Sequence, residues 1–220
     1  MKQPRILGAE EIRIEERQPP PSERTKPHKW LSAKDLEEFK RQEKEGYELY
    51  ISKVAEEKMR NHSLHFAEMQ KEVMGLLLGW IYKNGGKEYS IVKDVVTTDL
   101  ESSSVHVRFD RNAFEKLFVS LEEVGFNYLV VGWYHSHPGY GCFMSSTDVY
   151  TQRSLFKSSW HTAIVIDPVN KEIKAFYLDG RAIKTRNFAI YWDEYENPYY
   201  GTRVKKRELR SDPDRVASSQ

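Results

Sequence analysis

Cysteine is almost missing from this chain. Cys142 is the single one in 220 residues, which excludes an intramolecular disulfide and suits a reducing compartment. Long apolar runs are missing too. No stretch approaches the ~18 consecutive apolar residues of a membrane helix, and the charged N-terminus holds no apolar segment resembling a signal peptide. Neither sign of charge prevails: 34 lysines and arginines face 33 aspartates and glutamates, so no overall field draws the chain to nucleic acid or membrane. Internal repeats are also lacking. These absences lead us to expect a soluble, cytoplasmic protein that binds neither nucleic acid nor membrane.

What is present suffices for a core. Apolar residues make up 39% and aromatics 13%, enough for one domain, while 30% charged residues require much solvated surface or tail. Residues 1–46 read as an N-terminal extension. Its "QPPPSERTKPHK" suits a flexible arm, and "SAKDLEEFKRQEKEG" (32–46) a short charged helix. Residues 47–180 carry the folding signals. A strand is expected at 47–52, and a helix over 53–72 follows the spacing of Val54, Met59, Leu64, Phe66 and Met69. The apolar run "VMGLLLGWIY" closes on "KNGG" and returns through 89–98 as a paired strand. A polar loop at 99–109, a helix at 111–125, a strand at 128–137 and a helix at 146–158 follow, then two strands in "HTAIVIDP" and "EIKAFYL". Residues 181–220 form a C-terminal extension, with an aromatic segment (188–200) ahead of a basic polar tail. The fold class is α/β (α+β): a mostly antiparallel mixed sheet flanked by helices.

One segment concentrates chemistry: "GWYHSHPGYGCFMSSTD", residues 132–148. Residues i and i+2 of a strand share a face, so His135 and His137 can point at one ion. Pro138 and Gly139 turn the chain, and Gly139 and Gly141 are expected to permit close backbone approach. Asp148 falls in the first turn of the next helix, within reach of the same ion. Two imidazoles and a carboxylate would leave a fourth tetrahedral position on zinc open to water, the arrangement of catalytic rather than structural zinc. A competing reading needs no metal: "SSTD" is also a Ser-x-x-Asp capping box, in which Ser145 and Asp148 merely start the helix. A carboxylate on zinc is not expected to reach back to the cap amide as well, so the two readings compete.

The spacing His135-x-His137, then Ser145, then Asp148 resembles the signature of the JAMM (MPN+) zinc metalloproteases. Within that family "GWYHSHPGYGC" looks most like the deubiquitinating subunits of the proteasome lid and the COP9 signalosome. The resemblance covers roughly residues 48–180, including "EVMGLLLG" (72–79). It implies an MPN fold with cytidine-deaminase-like layering, and one catalytic zinc held by His135, His137 and Asp148. It further implies that Ser145 hydrogen-bonds the substrate carbonyl and that Glu72 carries protons between water and the leaving amine. Spacing alone does not select Glu72, which otherwise reads as a solvated residue at a helix end. The implied activity is hydrolysis of the isopeptide bond between ubiquitin, or a ubiquitin-like modifier, and a lysine. The modifier's tail would lie as an added strand beside residues 97–109. Processing of a small sulfur-carrier protein, or a non-catalytic scaffold role, are the alternatives. Implied partners are modifier conjugates, with the proteasome or a second MPN subunit. The family's usual Trp-Leu after the cysteine is here Phe143-Met144. Cys142 has no evident base beside it and reads as a small residue lining the loop, and His28, His62, His65, His106 and His161 as surface or core residues.

Overall fold

A computed structural model describes residues 13–21, 25–26, 41, 46–97 and 128–192. The elements expected at 99–109 and 111–125, nearly all of 32–46, and the tail beyond 192 lie outside the described residues.

The continuous apolar run becomes the longest strand. β4 (Met74–Asn84) turns at Gly85-Gly86 into β5 (Lys87–Thr97), both glycines having the positive φ that a two-residue hairpin demands. β4 is buried on both faces, which is why it shows no alternation. Along its first half it pairs with β6 (Leu129–Ser136). β6 continues parallel to β7 (Thr162–Asp167), then β8 (Glu172–Asp179) and β9 (Ala182–Arg186) follow antiparallel. On the other side β5 pairs in parallel with β3 (Leu49–Ser52), which pairs in parallel with β10 (Phe188–Tyr191). The sheet is therefore mixed, and its main hairpins are antiparallel.

Two departures from the expected layout concern the chain's flanks. Residues read as a flexible arm supply β1 (Glu15–Glu16), parallel to β4, and β2 (Thr25–Lys26), antiparallel to β10. Arg17 fixes the first of these, donating to the Tyr82 hydroxyl at 2.7 Å and stacking over that ring. The sheet also runs on past residue 180. β9 and β10 are separated by Asn187 alone, yet β9 ends the strand order on one side and β10 stands next to last on the other, so the sheet curls to bring them together. Arg186, buried at this seam, donates to Glu48 Oε2, Thr162 Oγ1 and the carbonyls of Ser159 and Trp160.

Helix α1 (Lys53–Ala67) is capped by Ser52, whose Oγ accepts from the Ala55 amide. Its buried stripe is Ala55, Met59, Ser63 and Ala67, at i+4 spacing. Leu64 and Met69, expected in that stripe, are instead about half exposed at 47% and 50%. The smaller stripe lets the helix lie close to the sheet over Leu49, Ile51, Leu77, Val92 and Ile164. Helix α2 (Ser146–Leu155) serves the opposite face, where Met74, Leu76, Trp133, Phe156, Val165 and Phe176 pack together.

A bulge in β6 decides which face its residues serve. Gly132 pairs with Leu77 and Val130 with Leu78, leaving Val131 as an extra residue. Before it, Leu129 and Val131 pack with the α1-side core and Val130 with the other; after it, Trp133 lies on the α2 side and Tyr134 on the α1 side. The inserted residue thus turns the odd-numbered positions over, and His135 with them.

Candidate metal centre

β6 ends in a tightly anchored segment. Ser136 donates its amide to Val73 O at 2.9 Å, and its Oγ accepts from Val73 N at 3.0 Å. His137 donates its amide to Ile166 O at 2.8 Å. Beyond it, Gly139 and Gly141 adopt φ of +83° and +81°, with nothing within 4 Å of where a Cβ would stand. The expected reason for these glycines was close backbone approach. The actual reason is the left-handed backbone of the turn.

His135 is buried at 1% exposure and lies flat against Trp133, ring centroids 4.6 Å apart at 14°. Trp133 is held in turn: its indole N–H donates to Gln152 Oε1 at 2.7 Å, and Gln152, fully buried on α2, donates to Phe156 O. His137 Nδ1 faces Gly141 O at 3.1 Å, so its hydrogen belongs there and the Nε2 lone pair points into the site. The exposed Phe143 ring lies 4.7 Å from the His137 ring.

Asp148 completes the group. His135 Nε2 and His137 Nε2 are 3.1 Å apart, and Asp148 Oδ2 lies 3.3 Å from the first and 3.7 Å from the second. The three buried side chains form a compact set of possible metal ligands. A tetrahedral zinc with bonds of about 2.0–2.2 Å separates its ligand atoms by about 3.3–3.6 Å, so this triangle has the right size. Three electron-rich atoms face one another here, an arrangement that a proton or a cation relieves.

The expected competition between capping and metal binding does not arise. Asp148 Oδ2 accepts from the Ser145 amide at 2.7 Å and Ser145 Oγ accepts from the Asp148 amide at 3.2 Å, a full capping box, while the same oxygen faces both imidazoles. A carboxylate oxygen has more than one lone pair, and here the cap aims that oxygen at the two imidazoles. Charge follows geometry. Burial pushes the Asp148 carboxyl up, but bonds and charge from His135 and bonds from Ser145 outweigh it and hold the group at about 2. His137 is held below the ordinary histidine range by burial first and by His135 second, against the pull of Asp148.

The remaining singled-out residues are placed as follows. Capping engages a lone pair of Ser145 Oγ, and the Ser145 hydroxyl also bonds the Asp148 carboxylate. Glu72, half-buried, precedes β4; continuing the Met74–His135 register by two residues sets it opposite His137. Cys142 is buried, donates to Val165 O, and burial pushes its thiol up to about 11, so it is no nucleophile. His62 meets the Tyr134 hydroxyl at 2.7 Å on the α1 face, and His161 is buried beneath α2 beside Phe156; His28 and His106 lie outside the described residues. Trp133 and Gln152 were not among the expected site residues. Nothing in a helix sequence marks a glutamine as buried.

The family model described as JAB1/Mov34/MPN/PAD-1 ubiquitin protease matches residues 44–158, more than half of the chain. The chain belongs to this JAB/MPN family. It is 40% identical over 147 residues to a 26S proteasome regulatory subunit RPN11 of Eremothecium gossypii, which covers 63% of this chain and 45% of that protein. With the ubiquitin carboxyl-terminal hydrolase RPN11 of Saccharomyces cerevisiae it shares 40% identity over 55% of this chain and 39% of the relative. With COP9 signalosome complex subunit 5 of Debaryomyces hansenii it shares 36% over 68% of this chain and 30% of the relative. The chain thus matches less than half the length of these relatives. Among solved structures, the protein DSY2949 of Desulfitobacterium hafniense shares the fold, with TM-score 0.50 and 21% identity over 66% of this chain and 94% of that one. No helix among the described residues is long and apolar enough to cross a membrane.

Proposed function

We propose that the chain is a zinc-dependent isopeptidase that hydrolyses the bond between the C-terminus of ubiquitin, or a ubiquitin-like modifier, and a lysine amine. One observation carries this reading: His135 Nε2, His137 Nε2 and Asp148 Oδ2 converge in a triangle of 3.1, 3.3 and 3.7 Å that matches three corners of a zinc tetrahedron. Zinc bound there supplies a Lewis acid that brings water near its pKa at neutral pH and polarises the scissile carbonyl. The residues of the chain do the rest. Glu72, on the strand entry opposite His137, takes the proton of the attacking water. Ser145 turns its O–H from the Asp148 carboxylate to the carbonyl oxygen as that oxygen gains charge. The water oxygen bonds to the carbonyl carbon, the C–N bond breaks, and Glu72 passes the proton to the departing lysine amine. The name of one relative, a ubiquitin carboxyl-terminal hydrolase, and the family's description as a ubiquitin protease support the modifier class of substrate.

The test is incubation of purified full-length protein with lysine conjugates of ubiquitin and of small ubiquitin-like proteins, with and without a zinc chelator, beside metal analysis. Cleavage that stops on chelation and resumes with zinc is expected. Stoichiometric zinc without cleavage of any conjugate would sink the isopeptidase reading, and a protein that takes up no zinc would sink the metal as well.

A further inference from the structure

Asp167, the last residue of β7, plays no part in the chemistry above, yet it is the most heavily engaged carboxylate among the described residues. It is wholly buried and accepts five hydrogen bonds. Three close the turn into β8: from Val169 N at 3.0 Å, Asn170 N at 3.0 Å and Asn170 Nδ2 at 2.7 Å. The other two reach across to the loop after His137, from Gly139 N at 3.0 Å and Gly141 N at 2.6 Å.

Those two bonds matter because of what Gly141 does at its other end. Its amide is held by Asp167 and its carbonyl faces His137 Nδ1 at 3.1 Å. A Cβ added at Gly139 or Gly141 would meet nothing within 4 Å, and both have positive φ, so no contact on that side holds the two glycines in place. We infer that Asp167 is a positioning residue for the metal centre: it pins Gly139 and Gly141 so that the Gly141 carbonyl takes the Nδ1 hydrogen of His137 and keeps the Nε2 lone pair turned to the ion. The link is Asp167 carboxylate, Gly141 peptide, His137 imidazole, and then metal. Partners one step behind the ligands commonly change metal affinity by about 10–100-fold. The inference rests on the metal reading proposed above.

The competing role is purely structural, as clasp of the β7–β8 turn, and the experiment separates the two. Full-length wild type, Asp167→Asn and Asn170→Ala are titrated with zinc against a chromogenic chelator, and the His137 ring nitrogens are read by 15N NMR in metal-free protein. Asp167→Asn should bind zinc about 10–100-fold more weakly and show both His137 tautomers. Asn170→Ala, which loses only a turn bond, should match wild type in both. Should Asp167→Asn fail to fold, Gly141→Val, which strains the loop at an open position and spares the turn, should give the same two changes. Wild-type affinity with the Nδ1–H tautomer retained, in folded Asp167→Asn or in Gly141→Val, overturns the inference. A wild type that takes up no zinc overturns the metal reading, and this inference with it.

Discussion

Asp148 Oδ2 lies 2.7 Å from the Ser145 amide and 3.3 Å from the His135 ring, so removing that side chain takes away half of a capping box and a candidate metal ligand together. Asp148→Ala should therefore lose zinc and turnover, and about 1 kcal/mol of stability with the cap. Glu72→Gln, by contrast, should keep zinc and lose turnover, as metal analysis beside conjugate cleavage would show; normal cleavage would remove Glu72 from its role as base. Ser145 invites a finer division. Ser145→Ala should slow cleavage by about 10²–10³ if the hydroxyl meets the substrate oxygen. A lowered unfolding midpoint with an unchanged rate would leave it a cap alone. At this scale the grouping of His135, His137 and Asp148 was legible, since strand alternation and a first-turn carboxylate are local rules. Glu72 was not, because the register that, extended from Met74–His135, sets it opposite His137 joins distant strands.

Strand β6 shows what a sequence hides in a single element. "YLVVGWYHSH" is apolar on both sides, so it has no alternation from which a phase can be read, and the extra residue at Val131 leaves no mark in it. The strand's existence was legible; the bulge that sends Trp133 and His135 to the α2 face was not. β1, β2 and β9 escaped for a related reason: two to five residues, mostly polar, carry no period. Helix α2 is joined to β6 through Gln152, which holds the Trp133 indole at 2.7 Å. Gln152→Leu keeps the volume but leaves that N–H and the Phe156 carbonyl without this partner. We expect a loss of about 1–3 kcal/mol for each group stranded, measurable by urea unfolding. An unchanged midpoint would mean that the indole finds another acceptor.

Over the molecule as a whole, acid should weaken the fold through His161. Burial first, and Arg186 second, depress this imidazole to about 3. Above pH ~6.5 it is neutral both folded and unfolded, and the stability is fully present. Between ~6.5 and 3 the unfolded chain takes up the proton before the folded one, so stability falls with pH, by at most about 1.4 kcal/mol per pH unit. His161→Asn keeps an acceptor for the Ser158 amide, which His161 Nδ1 now engages at 3.1 Å. Denaturant midpoints measured from pH 7 to 4 should decline less for this variant than for wild type. Parallel declines would assign the acid sensitivity elsewhere.

The curled sheet also bears on how the protein is made. β3 is made long before its neighbour β10, which follows every other described strand. Until the ribosome has passed Tyr191, β3 offers newly made chains a bare row of amides and carbonyls, a template for unwanted pairing. The pairing of β3 with β10 therefore waits on every other described strand, and the nascent protein has a long interval in which a chaperone covering that rim would raise its yield.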